Sequence, residues 1–81
     1  MKSVYCISFV KLYREHGQLL DSGVLPECYK NSADAENALR NICRKLMDEV
    51  PSHKISLTES WLYVERTETV EKYNVEKLKM A

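Results

Sequence analysis

Glycine and proline are scarce in this chain of 81 residues, two of each, with the glycines at positions 17 and 23. They do not supply the spaced glycines of a nucleotide-cradling loop, the Gly-x-Ser-x-Gly elbow or an EF-hand loop, and no His-Glu-x-x-His occurs. Net charge is also missing: 12 Lys and Arg stand against 12 Asp and Glu, evenly in both parts of the chain. The broad basic footprint by which proteins neutralise duplex nucleic acid or acidic lipid is therefore absent. Apolar runs last a few residues only, against the roughly 18 to 20 a membrane-spanning helix needs, and no basic segment leads into an apolar one as in a secretion signal. Those absences predict a cytoplasmic protein.

Cysteine comes in an odd number, Cys6, Cys28 and Cys43, without a Cys-x-x-Cys pair. This pattern suits reduced thiols better than a secreted disulfide framework, so no obligatory disulfide is expected. The cysteines, His16 and His53 lie singly along the chain, without the closely spaced pairs of a metal site, so no metal or other cofactor is implied. Cys28 with His16 or His53 would in principle make a nucleophile and base, but nothing in their spacing favours it. A chain of this size buries only about 60 per cent of its unfolded surface and leaves little room for a water-excluding pocket. The expectation is a protein without catalytic activity.

What the sequence does contain is patterned as one domain over residues 1–81. Val4 to Tyr13 is rich in β-branched and aromatic residues, which predicts a strand. A polar turn around Gly17 and a second apolar stretch to Leu25 complete a hairpin over about 3–25. Gly23 suggests a bulge, and Pro26, without an N–H, places a short second strand at an edge or its end. Asn31 or Ser32 can cap a following helix, in which Ala35, Ala38, Leu39, Ile42, Leu46 and Val50 form one stripe, flanked by Cys43 and Met47, up to Pro51. That helix is predicted over about 33–50. Strand character returns over about 54–67, with Thr58 to Ser60 as either a turn or a polar stretch of one bent strand. The tail, 68–81, fits an edge strand or a loose helix. The fold class is α+β: a small antiparallel sheet of three or four strands, ordered β-β-α-β plus the tail, with one amphipathic helix on one face.

Alternation along the first strand sets Val4, Cys6, Ser8, Val10 and Leu12 against Tyr5, Ile7, Phe9, Lys11 and Tyr13, and Leu62 and Val64 similarly oppose Trp61 and Tyr63. Both faces are apolar, whereas one helix covers only one. Assigning the aliphatic set to the helix leaves Tyr5, Ile7, Phe9, Tyr13, Trp61 and Tyr63 as an outward patch with Lys11 and Glu65 at its rim. Amphipathic aromatics of this kind are enriched at protein interfaces. The competing arrangement puts the aromatics in the core and folds the tail over the remaining face. Arg40, Arg44 and Lys45 form a second, basic surface on the helix, diluted by Glu36, Asp48 and Glu49.

These features predict a small non-catalytic interaction module that occupies a surface of another protein or of its own copy, a homodimer being expected, in the manner of phage or mobile-element inhibitors of host or defence proteins. One alternative is a single-stranded nucleic-acid binder that stacks bases on sheet aromatics, with only Lys11 expected on that face to neutralise phosphate. Another is a homodimeric structural or regulatory accessory protein, closed through the aromatic face.

Overall fold

The computed structural model describes residues 2–80. Five strands and one helix follow in the order β1 (Lys2–Tyr13), β2 (Leu19–Tyr29), α1 (Ser32–Leu46), β3 (Ile55–Leu57), β4 (Trp61–Glu65) and β5 (Thr69–Met80), with one turn of 3₁₀ helix at Ser52–Lys54. All strands pair antiparallel in one sheet of order β2-β1-β5-β4-β3. The α+β class holds, but the sheet has five strands rather than three or four. No helix among the described residues is long and apolar enough to cross a membrane.

The fifth strand is the tail, and it is neither an edge strand nor a helix. It lies at the centre, paired with β1 from Lys2↔Met80 to Tyr13↔Thr69 and with β4 from Trp61↔Asn74 to Glu65↔Val70. Its own apolar residues are too few to announce a strand; the 12-residue β1 on one side and the 5-residue β4 on the other supply the ladder that a sparse sequence accepts.

The β1–β2 hairpin closes through Gly17, at φ 70, a conformation glycine adopts without the steric cost of a side chain. Edge position is borne out for β2, which nevertheless runs to 11 residues rather than stopping near Pro26. Its register shifts do not fall at Gly23, which pairs regularly with Phe9. One shift spans Leu25–Glu27 opposite Ile7, where Pro26 has no N–H to offer the ladder. Gly23 serves packing instead: a Cβ there would come within 3.2 Å of the Phe9 ring.

Asn31 caps α1, its side-chain oxygen accepting from the Asp34 N–H at 2.9 Å. The helix ends at Leu46, earlier than Pro51 would enforce, and a tightened turn carries the chain on, with Val50 N–H donating to Leu46 O at 2.8 Å. The stripe packs as its spacing requires: Leu39, Cys43, Leu46 and Val50 meet Ile7, Leu62 and Val64 in one core cluster. Thr58 to Ser60 is a turn, closed by the Thr58 N–H to Trp61 O bond at 2.9 Å, so β3 and β4 form a second hairpin.

The structure bonds Cys6 to Cys28, which corrects the expectation of three thiols; Cys43 alone stays a buried free thiol. Twenty-two residues separate the pair in sequence, but β1–β2 pairing sets them directly opposite each other. Cysteine spacing carries no trace of that register.

Candidate functional site

Ile7 decides which side of β1 faces the helix, being 1 % exposed and at the heart of the core. Alternation then turns Tyr5, Phe9, Lys11 and Tyr13 to the helix side with it, and Val4, Cys6, Ser8, Val10 and Leu12 to the opposite, open side. This reverses the expected assignment for β1. For β4 the expectation stands: Leu62 and Val64 are fully buried beneath the helix, while Trp61 and Tyr63 point the other way with Glu65. Packing on the helix side favours the larger β1 side chains because Phe9 fills the space over Gly23 and lies 6.4 Å, centroid to centroid, from Tyr73.

The proposed aromatic patch is therefore split by the sheet. Trp61, Tyr63 and Glu65 share the open face; Tyr5, Ile7, Phe9, Lys11 and Tyr13 do not join them. Ile7 is core, and the Tyr13 ring meets that of His16 at the hairpin end, centroids 4.9 Å apart and planes tilted by 46°. In their place, register brings β5 residues that the sequence reading left out: Asn74 beside Trp61, Lys72 beside Tyr63 and Val70 beside Glu65. The next strand across adds Ser8, Val10 and Leu12 opposite Asn74, Lys72 and Val70, and Val4 opposite Leu78. The signal that would have found them is the alternation Val70, Lys72, Asn74, Glu76, Leu78 against Glu71, Tyr73, Val75, legible only once the tail is taken as a strand.

Trp61 is 41 % exposed, a large apolar surface left in water. It borders a shallow concavity of about 370 Å³ whose lining includes Ser56, Tyr63, Lys72 and Asn74. The Lys72 ammonium stands 5.9 Å from the centre of the Tyr63 ring, within cation–π range. Aliphatic Val4, Val10, Leu12, Val24 and Leu78 extend the apolar surface over β2, β1 and β5, with the Cys6–Cys28 bond among them. The tail that would have covered this face lies inside the sheet instead, and α1 lies on the other side.

On the helix side the polar groups are matched among themselves. Glu71 is buried, and its carboxylate accepts from Arg66 Nε at 2.6 Å and from the Tyr73 hydroxyl at 2.8 Å. Burial first, then the Glu71 hydrogen bond, holds the Tyr73 hydroxyl well above the usual tyrosine range. The Arg66 guanidinium also reaches Glu49 at 3.3 Å, tying the β4–β5 turn to the segment after α1. Arg14 makes a parallel tie, pairing with Glu65 at 2.6 Å and donating to the Arg66 carbonyl at 3.1 Å. These are fastenings of the fold.

Arg40, Arg44 and Lys45 are exposed on α1, as their helix positions predict. Arg40 donates to Asn37 on the same surface. Lys45 lies beside a groove of about 300 Å³ between α1 and β2, lined also by Leu25, Pro26, Tyr29, Ala38 and Ile42. His16 sits in the first turn and His53 in the 3₁₀ turn, on different elements from Cys28. The chain matches no protein-family model, no curated protein and no solved structure.

Proposed function

We propose that this protein is a non-catalytic interaction module whose open sheet face, centred on Trp61 and Tyr63, binds a surface of another protein. The observation that carries the reading is the uncovered face itself. An antiparallel sheet with one solvated face normally presents polar side chains there. Here the solvated face carries Trp61, Tyr63, Val4, Val10, Leu12, Val24 and Leu78 instead. Half-exposed tryptophan beside tyrosine, ringed by Lys72, Asn74, Glu65 and Glu76, has the composition of an interface centre with a polar rim. Action by occupancy needs no more than this, and inhibition of a larger host or defence protein is its simplest form.

The charge on this face weighs against the oligonucleotide alternative. Lys72 stands there against Glu76, Glu65 is already paired with Arg14, and Lys11 turns to the helix side. A single-strand platform combines its aromatics with a positive groove.

The test is position-specific photo-crosslinking in cells that contain the partner, with a photoreactive residue at position 61 or, as control, at Arg40 on the outer side of α1. The expected result is a discrete crosslinked protein from position 61 and none from position 40. Trp61→Ala should then weaken the purified complex by at least about 2 kcal/mol, roughly thirtyfold, with the fold intact. Crosslinks from position 40 alone, or an unchanged affinity for Trp61→Ala, would sink the reading.

A further inference from the structure

Beyond the open face, the sheet has an unfinished central strand. Pairing between β4 and β5 stops at Trp61↔Asn74, followed by one bond from the Val75 N–H to the Ser60 carbonyl at 2.8 Å, because the chain turns away through Thr58–Ser60 into β3. Beyond Val75, β5 continues to Met80 with β1 on one side and, among the described residues, no strand on the other. In an antiparallel strand the N–H and C=O of one residue point to the same side, and successive residues alternate. The Val75 N–H points toward β4, so the N–H and C=O of Lys77 and Lys79 point the same way, into the empty lane, while those of Glu76 and Leu78 bond to β1. The lane from Glu76 to Lys79 is exposed along its length.

The side chains along this lane define what fits it. Lys77 and Lys79 pair across β1 with Tyr5 and Ser3 and so project on the helix side; Glu76 and Leu78 project on the open side. The salt bridges among the described residues involve neither lysine. A second copy of the chain is a poor occupant. Two-fold pairing of β5 edges matches residues that share a face, and every register centred on Lys77, Leu78 or Lys79 sets lysine against lysine or Lys79 against Val75. Like charges directly opposite one another destabilise a sheet.

We propose that the β5 edge at Glu76–Lys79 receives an extended segment of a partner protein as an added antiparallel strand, acidic on the face that meets Lys77 and Lys79, and with an apolar and a basic residue on the face that meets Leu78 and Glu76. Backbone bonds to Lys77 and Lys79 supply its affinity, as in other strand-addition complexes. Charge supplies its selectivity: read from its N-terminal end, the incoming segment sets an acid against Lys79, an apolar residue against Leu78, an acid against Lys77 and a base against Glu76. The β3–β4 turn closes the lane at its far end.

The probe is a synthetic peptide of about six residues with the core Glu-Val-Glu-Lys, compared with its charge-swapped form Lys-Val-Lys-Glu, each added at millimolar concentration to the whole protein while amide exchange is followed by NMR. The Glu-Val-Glu-Lys peptide should slow exchange at the Lys77 and Lys79 amides and leave those of Glu76 and Leu78, already bonded to β1, unchanged. Its preference over the swapped peptide should be about tenfold and should reverse in the double variant Lys77→Glu, Lys79→Glu. Trp61→Ala should leave this protection in place, which separates the edge from the open face. Protection by neither peptide, equal protection by both, or no reversal in the double variant would overturn the proposal.

Discussion

Glu71 brings a charge to the margin of the core, and Arg66 and Tyr73 meet it there. Tyr73 gains more from staying protonated in the fold than in the unfolded chain, since burial and the bond to Glu71 both raise its pKa. A group whose folded pKa is raised contributes stability that is complete below the unfolded value, about 10 for tyrosine, and is lost as pH rises beyond it. Urea unfolding between pH 8 and about 11 should therefore show stability falling more steeply in the native protein than in Tyr73→Phe. Parallel slopes would mean that Tyr73 is not protonation-linked to folding. At this scale the sequence was partly legible. A cap at Asn31 or Ser32, and Leu62 and Val64 as core, followed from local pattern, and the structure selects Asn31. The facing of Ile7 and Phe9 did not, because an aromatic and an aliphatic set of similar apolarity compete for the same side and only the space above Gly23 decides between them.

Among the elements, α1 and the first hairpin were readable because their periods are strong and local. The central strand was not: β5 owes its conformation to β1 and β4, each contact being remote in sequence, and a pattern of scattered charges hides its alternation. The Cys6–Cys28 bond belongs to the same class of long-range fact. It fastens the edge strand β2 to β1 just before the chain leaves for α1, closing a loop with a sequence separation of 22. Restricting the unfolded chain over such a loop stabilises by about 3 kcal/mol. Cys28→Ser should lower the urea midpoint correspondingly, and a reductant should bring the native protein down to the level of the variant without affecting the variant itself. A midpoint indifferent to reductant would show that the bond does not hold this hairpin.

At the scale of the whole molecule, the helix and five strands of the described residues form two layers, with the second sheet face in water. The α+β fold class was within reach of the sequence, and so was the imbalance between two apolar faces and one helix. The composition of the open face was not, since half of it comes from β5, and its membership depends on register. That face is the central feature of the functional account, and the edge of β5 beside it offers a separate backbone contact. A face kept for a foreign partner must not be consumed by a second copy of the chain. The most direct check is the solution mass by light scattering on a sizing column, at several concentrations across the micromolar range. The account predicts a monomer of 9.4 kDa throughout. A stable dimer that Trp61→Ala dissolves would contradict it, because the open face would then be closed on itself and the partner surface would have to be sought elsewhere.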